Sequence, residues 1–331
     1  MINILYLIFF VFFVFFSHLS IIGYGLKVKL FFNFDYYSDE KNFEKLIEFF
    51  FGIIFLTILG FIFYIFSITN YYINLLVLLL GLIIYLVERK NSIKTIELNI
   101  FLLLIIMFVG ILISKTHEDY IPYHFSYIDI ISNSKFILGL GNLEMTYTYA
   151  SFFSYLQKIF MMPFLNYKLL HVPIFLTFFN ICLFLILEIF NNKKFNIINL
   201  LLLLLFLTKF SRMSEYGYDY ISGFILLSIV IIFYFVKNKL LKHSPSLILL
   251  LFIYAISIKI TALFFFPIFL LIFYISFRET GNSLSGYLTQ NTKNIIPSFV
   301  LLFFIIFDNL SRSGCAFYFI ELTCLNQNIL P

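Results

Sequence analysis

The feature that most constrains this chain is the recurrence of apolar runs long enough to enter or cross a bilayer. A helix needs roughly 17–25 predominantly apolar residues to span about 30 Å of hydrocarbon. Runs that approach or reach this length lie at Ile2 to Tyr24, Leu46 to Ser67, Tyr71 to Val87, Leu98 to Ser114 and Leu169 to Phe190. The chain continues with Ile197 to Leu207, Ile221 to Val236, Ser246 to Ile258, Ile260 to Phe277 and Ile295 to Phe307. The runs do not alternate apolar with polar residues, as the strands of a membrane barrel would. A chain that is 62% hydrophobic and 12% charged is also outside the range of a soluble domain, where about 45–50% of residues are apolar. The expected fold is all-α: a polytopic transmembrane helix bundle of about ten spans, forming a single integral membrane domain over residues 1–331. The abundant Phe, without any Trp, reads as genome composition and carries no functional weight.

Charge then orients the runs. Cytoplasmic loops collect Lys and Arg, and the loops at 27–45, 88–96, 191–195, 237–244 and 278–293 all carry them. Placing these inside puts the long loop 115–166, the segment Ser211 to Asp219 and the tail after Asp308 together on the extracytoplasmic side. The net charge of +5 is spread over these short loops, so it reads as topology and not as a nucleic-acid footprint. The first run lacks a basic leader and a small-residue cleavage site, and is expected to be an uncleaved span in a cell (inner) membrane. Asn326 to Pro331 adds neither a further span nor a basic tail, which leaves open a longer protein.

The long loop is where chemistry concentrates. His117, Glu118, Asp119, His124 and Asp129 fall between two apolar runs, with Glu118 to His124 reading E-D-Y-I-P-Y-H. Adjacent carboxylates can act as a general base or hold a divalent cation such as Mg or Mn that neutralises phosphate. Two solvated loop acids are the plainer alternative. Tyr123 and His124 add an aromatic wall and a titratable imidazole beside them. Arg212, Glu215 and Asp219 belong to the second polar loop. Asp219 opens a helix, so capping is a sufficient role for it. Lys259 separates two apolar runs with no real loop, and an ionisable residue there points to function by default; snorkelling to headgroups is the alternative. Cys315 and Cys324 lie on the side where disulfides persist and are expected to pair, whereas Cys182 reads as core. There is no P-loop, H-E-x-x-H or G-x-S-x-G, which excludes the corresponding ATPase, zincin and serine-hydrolase readings.

The acidic pair followed by Tyr123-His124, with Gly139-Leu140-Gly141-Asn142-Leu143, Tyr147 and Tyr149-Ala150-Ser151, resembles the GT-C superfamily of polytopic membrane glycosyltransferases, in an uncharacterised bacterial branch. The likeness runs from about Thr116 to Cys324, and Phe319 departs from it where a Pro is expected. The resemblance implies transfer of a sugar from a polyprenyl-phosphate donor to a lipid-linked or cell-surface glycan acceptor, with membrane lipids as the other partners. It assigns the base role to Asp119 or Glu118, with Asp119 favoured. His124, Tyr123, Arg212, Asp219 and Lys259 would then bind substrate. A polysaccharide or lipid transporter, or a surface-polysaccharide polymerase, is the rival expectation.

Overall fold

The computed structural model describes residues 4–34, 41–68, 70–89, 93–108, 111, 119–163, 165, 167–191, 197–214, 217–239, 244–280, 284–318 and 320–325. Its helices are α1 (Ile4–Phe31), α2 (Lys41–Ile65), α3 (Tyr71–Glu88), α4 (Ile93–Phe108), α5 (Ser126–Asn133), α6 (Ser154–Ile159) and α7 (Val172–Asn191). They continue as α8 (Ile197–Leu207), α9 (Asp219–Lys239), α10 (Ser244–Ile258), α11 (Phe266–Glu279), α12 (Leu284–Gln290) and α13 (Thr292–Ser313). No strand forms among the described residues, so the architecture is an all-α bundle.

The expected count of ten spans is not what the helices show. Among the described residues six stretches are long and apolar enough to cross a membrane: Leu7–Phe31, Asn42–Ile65, Tyr71–Glu88, Tyr167–Phe190, Ile260–Glu279 and Thr292–Ser313. Asp219–Tyr234 and Pro245–Ile258 are apolar but shorter. The described part of α4 has 16 residues and α8 only 11. At 1.5 Å per residue, α8 rises about 16 Å, roughly half the hydrocarbon thickness. The apolar run that forms α8 has the same 11 residues in the sequence, too few for the span expected of it.

Helices α1, α2 and α3 pack backbone to backbone. A Cβ on Gly25 would stand 1.5 Å from the Glu48 carbonyl oxygen, and one on Gly52 would stand 1.9 Å from that of Ile21. Small residues permit this approach, which matters where lipid removes most of the hydrophobic drive between helices. The bundle interior is dominated by Phe, Ile and Leu, with polar pairs buried between helices. His18 Nε2 and Asn180 Oδ1 meet at 3.1 Å, and the Thr57 and Tyr254 hydroxyls at 2.8 Å. Buried polar contacts inside the apolar helices were not anticipated beyond Lys259.

The bundle has two polar ends. At one, Lys27 pairs with Glu88, Lys29 with Glu44 at 3.1 Å, and Arg89 with Glu48 at 2.7 Å. These residues end α1 and α3 and begin α2. The loop after α4 lies at the opposite end, where α2 finishes and α3 starts. There the Phe136 N–H donates to Ser67 Oγ, the Ile137 N–H to the Tyr64 hydroxyl, and Asn74 Nδ2 to the carbonyls of Lys158 and Met161.

Candidate active site at the loop end of the bundle

Tyr120–Phe125 forms a single π-helical turn that opens at Asp119. The N–H groups of Tyr123 and His124 both donate to the Asp119 carbonyl, at 3.2 and 3.3 Å. Pro122 inside the turn has no N–H to contribute, and such turns recur at functional sites. The turn leaves Asp119 exposed and buries the His124 ring, 2% exposed. Tyr123 and Tyr218 wall the imidazole, with ring centroids at 4.6 and 4.4 Å. Gly217 lets the backbone pass close by, since a Cβ there would sit 3.3 Å from His124 Nε2.

Asp219 joins the parts. As the first residue of α9 it projects one carboxylate oxygen to 4.0 Å from His124 Nε2. The other oxygen accepts a 2.7 Å hydrogen bond from Lys259 Nζ. Lys259 holds extended backbone between α10 and the 3-10 stretch Ile260–Phe265, which explains why sequence shows no loop there. The Asp219 and Lys259 side chains are 39% and 41% exposed, so the pair is open to an incoming ligand. Asp119, His124, Asp219 and Lys259, separated by up to 140 positions, thus occupy one end of the bundle. Arg212 is placed on the flank, with its guanidinium 5.5 Å from the ring centre of Tyr220.

Tyrosines tie this cluster to the segment 145–151. The Tyr123 hydroxyl donates to the Tyr149 carbonyl at 3.2 Å, and the Tyr218 hydroxyl accepts from the Ser151 N–H at 3.3 Å. Burial pushes both phenols upward, so they remain protonated donors across physiological pH.

Beneath lies a buried network that sequence reading did not assign. Arg312, 3% exposed, donates to the carbonyls of Tyr147 and Ala150 at 3.0 and 2.6 Å. Its Nη2 meets Asp308 at 2.8 Å and Asn309 Oδ1 at 3.0 Å. The Tyr155 hydroxyl donates to Asp308 Oδ1 at 2.7 Å and meets the Tyr127 hydroxyl at 3.0 Å. Lys158, on α6 and 2% exposed, has no hydrogen-bond partner for Nζ among the described residues and lies 5.5 Å from the Tyr64 ring centre. Burial lowers its ammonium to about 7. The i,i+4 spacing of Asp308 and Arg312 on an apolar helix was a signal available in the sequence. The contacts to Tyr155 and residues 147–150 leave no local pattern.

After α13, Gly314 in the left-handed region turns the chain, and Cys315 and Cys324 form a disulfide. Cys182 is buried and free. Glu118, His117, Glu215 and Phe319 lie outside the described residues. Among the described residues no three His, Cys, Asp or Glu side chains gather as metal ligands. Of the expected carboxylate pair only Asp119 is described, so the divalent cation has no donor set among the described residues.

No curated protein and no solved structure matches the chain significantly. A family model does match it, over residues 1–328, and the chain belongs to that family, described as Domain of unknown function (DUF8201).

Proposed function

We propose that this α-helical membrane protein is a GT-C-like glycosyltransferase. It takes a sugar from a polyprenyl-phosphate donor and delivers it to a lipid-linked or cell-surface glycan acceptor, at the extracytoplasmic face of a cell membrane. The observation that carries the reading is the half-open Asp219–Lys259 pair beside the buried His124, whose turn opens at the exposed Asp119, at one end of an apolar bundle. In this reading Asp119, alone or with Glu118, accepts the proton of the acceptor hydroxyl as it attacks the anomeric carbon. Lys259 exchanges its Asp219 contact for the donor phosphate as negative charge develops on the leaving group. His124, walled by Tyr123 and Tyr218, holds Asp219 in place during that exchange. Arg212 lies at the margin and serves donor approach.

The test is sugar transfer by the reconstituted chain from a short-chain polyprenyl-phosphate sugar. Asp119→Asn and Lys259→Ala are each expected to lower the rate at least about 100-fold, the usual span for acid–base and electrostatic groups. Full transfer by Asp119→Asn sinks the base assignment. The buried His18–Asn180 pair gives the transporter reading a foothold. That reading gains if vesicles show lipid or glycan flux without any new glycosidic bond.

A further inference from the structure

Next to this cluster lie two adjoining cavities. The first, about 210 Å³, is bounded by Tyr149, Ser257, Asp308, Asn309, Arg312 and Tyr318. The second, about 360 Å³, is bounded by Ile253, Leu263, Leu302 and Ile320. Ile256, Ile260, Ile305 and Phe317 border both, so a chamber whose apolar walls carry a few polar groups adjoins a wholly apolar groove. Leu302, Ile305, Asp308 and Arg312 follow one another at three- and four-residue steps along α13, a single helix face that changes from apolar to polar. The change occurs toward the bundle end where the loop lies, which is the orientation of an amphiphile resting in one leaflet. Ile258 and Ile260 line the first chamber on either side of Lys259, and the Tyr149 carbonyl accepts from the Tyr123 hydroxyl, so the chamber adjoins the candidate site.

We infer that this paired cavity is the binding site of a neutral glycolipid, its hydrocarbon chain in the Ile253–Leu302–Ile320 groove and its hydroxylated head against Asp308, Asn309 and Arg312. The charge of the chamber selects the head. Among the described residues Arg312 is its only cationic lining, and Asp308 at 2.8 Å neutralises it. An anionic head would face the Asp308 carboxylate with no spare cation in that lining, whereas hydroxyls can donate to Asp308 and accept from Arg312. The Arg312 Nε–H, buried and without a hydrogen-bond partner among the described residues, is a donor still to be satisfied. The hairpin closed by Cys315–Cys324 supplies Phe317, Tyr318 and Ile320, so the disulfide holds one wall in place. That this glycolipid is the acceptor of the proposed sugar transfer rests on the transferase reading; the site itself does not.

The experiment uses the full chain in lipid nanodiscs. The probes are dodecyl β-glucoside with a diazirine in its chain and dodecyl phosphate with the same chain. After illumination, adducts are mapped by mass spectrometry. Expected adducts fall on Leu302, Ile305, Phe317 and Ile320, at least tenfold more with the glucoside than with the phosphate. Ile256→Trp, which fills the junction, is expected to lower them about tenfold. Leu302→Trp serves where the first variant does not fold. Labelling spread over the lipid-facing helices, equal labelling by both probes, or labelling indifferent to both tryptophans overturns the site. Labelling in place without sugar transfer overturns the transferase reading alone, and transfer with labelling elsewhere overturns only this site.

Discussion

The two ends of the bundle solve the same problem differently. Both must place ionisable side chains where apolar helices stop. At the Lys27–Glu88 end, the ion pairs join the tips of adjacent helices, and Arg89 grips the buried Glu48 with Nη2 at 3.0 and 2.7 Å from its two carboxylate oxygens. A cavity near that end, about 720 Å³, is walled by Phe31, Phe32, Phe51, Phe55 and Leu250, with Lys27 among its lining. At the loop end, Asp219 joins His124 and Lys259 from three distant segments, the Asp219–Lys259 pair is half exposed, and a buried Arg–Asp pair lines a cavity with polar and apolar walls. One end fastens helices, whereas the other holds polar groups in a geometry that fastening does not require.

The largest expected effect is at the fastening end. Gly25→Ala would put a methyl group 1.5 Å from the Glu48 carbonyl oxygen, and neither backbone can yield without parting α1 from α2. Overpacking that side chains can relieve typically costs about 1–3 kcal/mol; here the obstacle is a fixed backbone carbonyl, so the cost should exceed that of every substitution below. Little folded protein is expected, as read by size-exclusion yield and thermal melting. Near-normal yield would mean that the contact between α1 and α2 is looser than described.

Second is the floor of the loop end. Arg312→Met leaves Asp308 buried and unpaired, which is expected to cost about 3–5 kcal/mol. Replacing both, as Asp308→Leu with Arg312→Met, should recover much of that loss but not the glucoside labelling. A double variant that is stable and still labels would show the pair to be structural alone.

Third is Lys158. Its ammonium is lowered to about 7 by burial, so between pH 7 and the ordinary lysine value the unfolded chain binds a proton that the folded chain does not. Stability therefore rises with pH across that window, and the burial penalty is fully present below pH 7. Lys158→Met should raise the melting temperature at pH 6. The gain should be worth a few kcal/mol, since each tenfold change in proton affinity corresponds to about 1.4 kcal/mol. It should shrink by pH 9.5. A gain that does not change with pH would assign the effect to packing instead.

These contrasts show what a linear reading of the chain can reach. Apolar runs disclose the helices, and the polarity of loop 119–163, of 210–219 and of Lys259 marks where the bundle is interrupted. The number of crossing helices is misjudged where short apolar runs are counted as spans: Ile197 to Leu207 is as short in the sequence as the 11-residue α8 it forms, and α10 has only 15 residues. The Arg312–Asp308–Tyr155 network escapes for a physical reason. Tyr155 and Asp308 are 153 positions apart, and each member looks local, a tyrosine in a loop or an i,i+4 pair at a helix end. Lys158 escapes because α6, only six residues long, sits in a stretch whose composition reads as loop.

The smallest stability effect makes the sharpest comparison. Glu88→Gln and Asp219→Asn each remove one partner of a solvent-accessible ion pair, with side-chain exposures of 51% and 29% for Lys27 and Glu88 and 41% and 39% for Lys259 and Asp219. Such pairs contribute about 0–1 kcal/mol, so both variants should melt close to the parent. Their functional consequences should separate. Glu88→Gln leaves the loop end untouched and should transfer sugar at the parental rate. Asp219→Asn weakens the hold on Lys259 and removes the carboxylate facing His124, so transfer should fall at least about tenfold at unchanged stability. Equal transfer by the two variants would make Asp219–Lys259 a second fastening, equivalent to Lys27–Glu88, and would remove the distinction between the two ends.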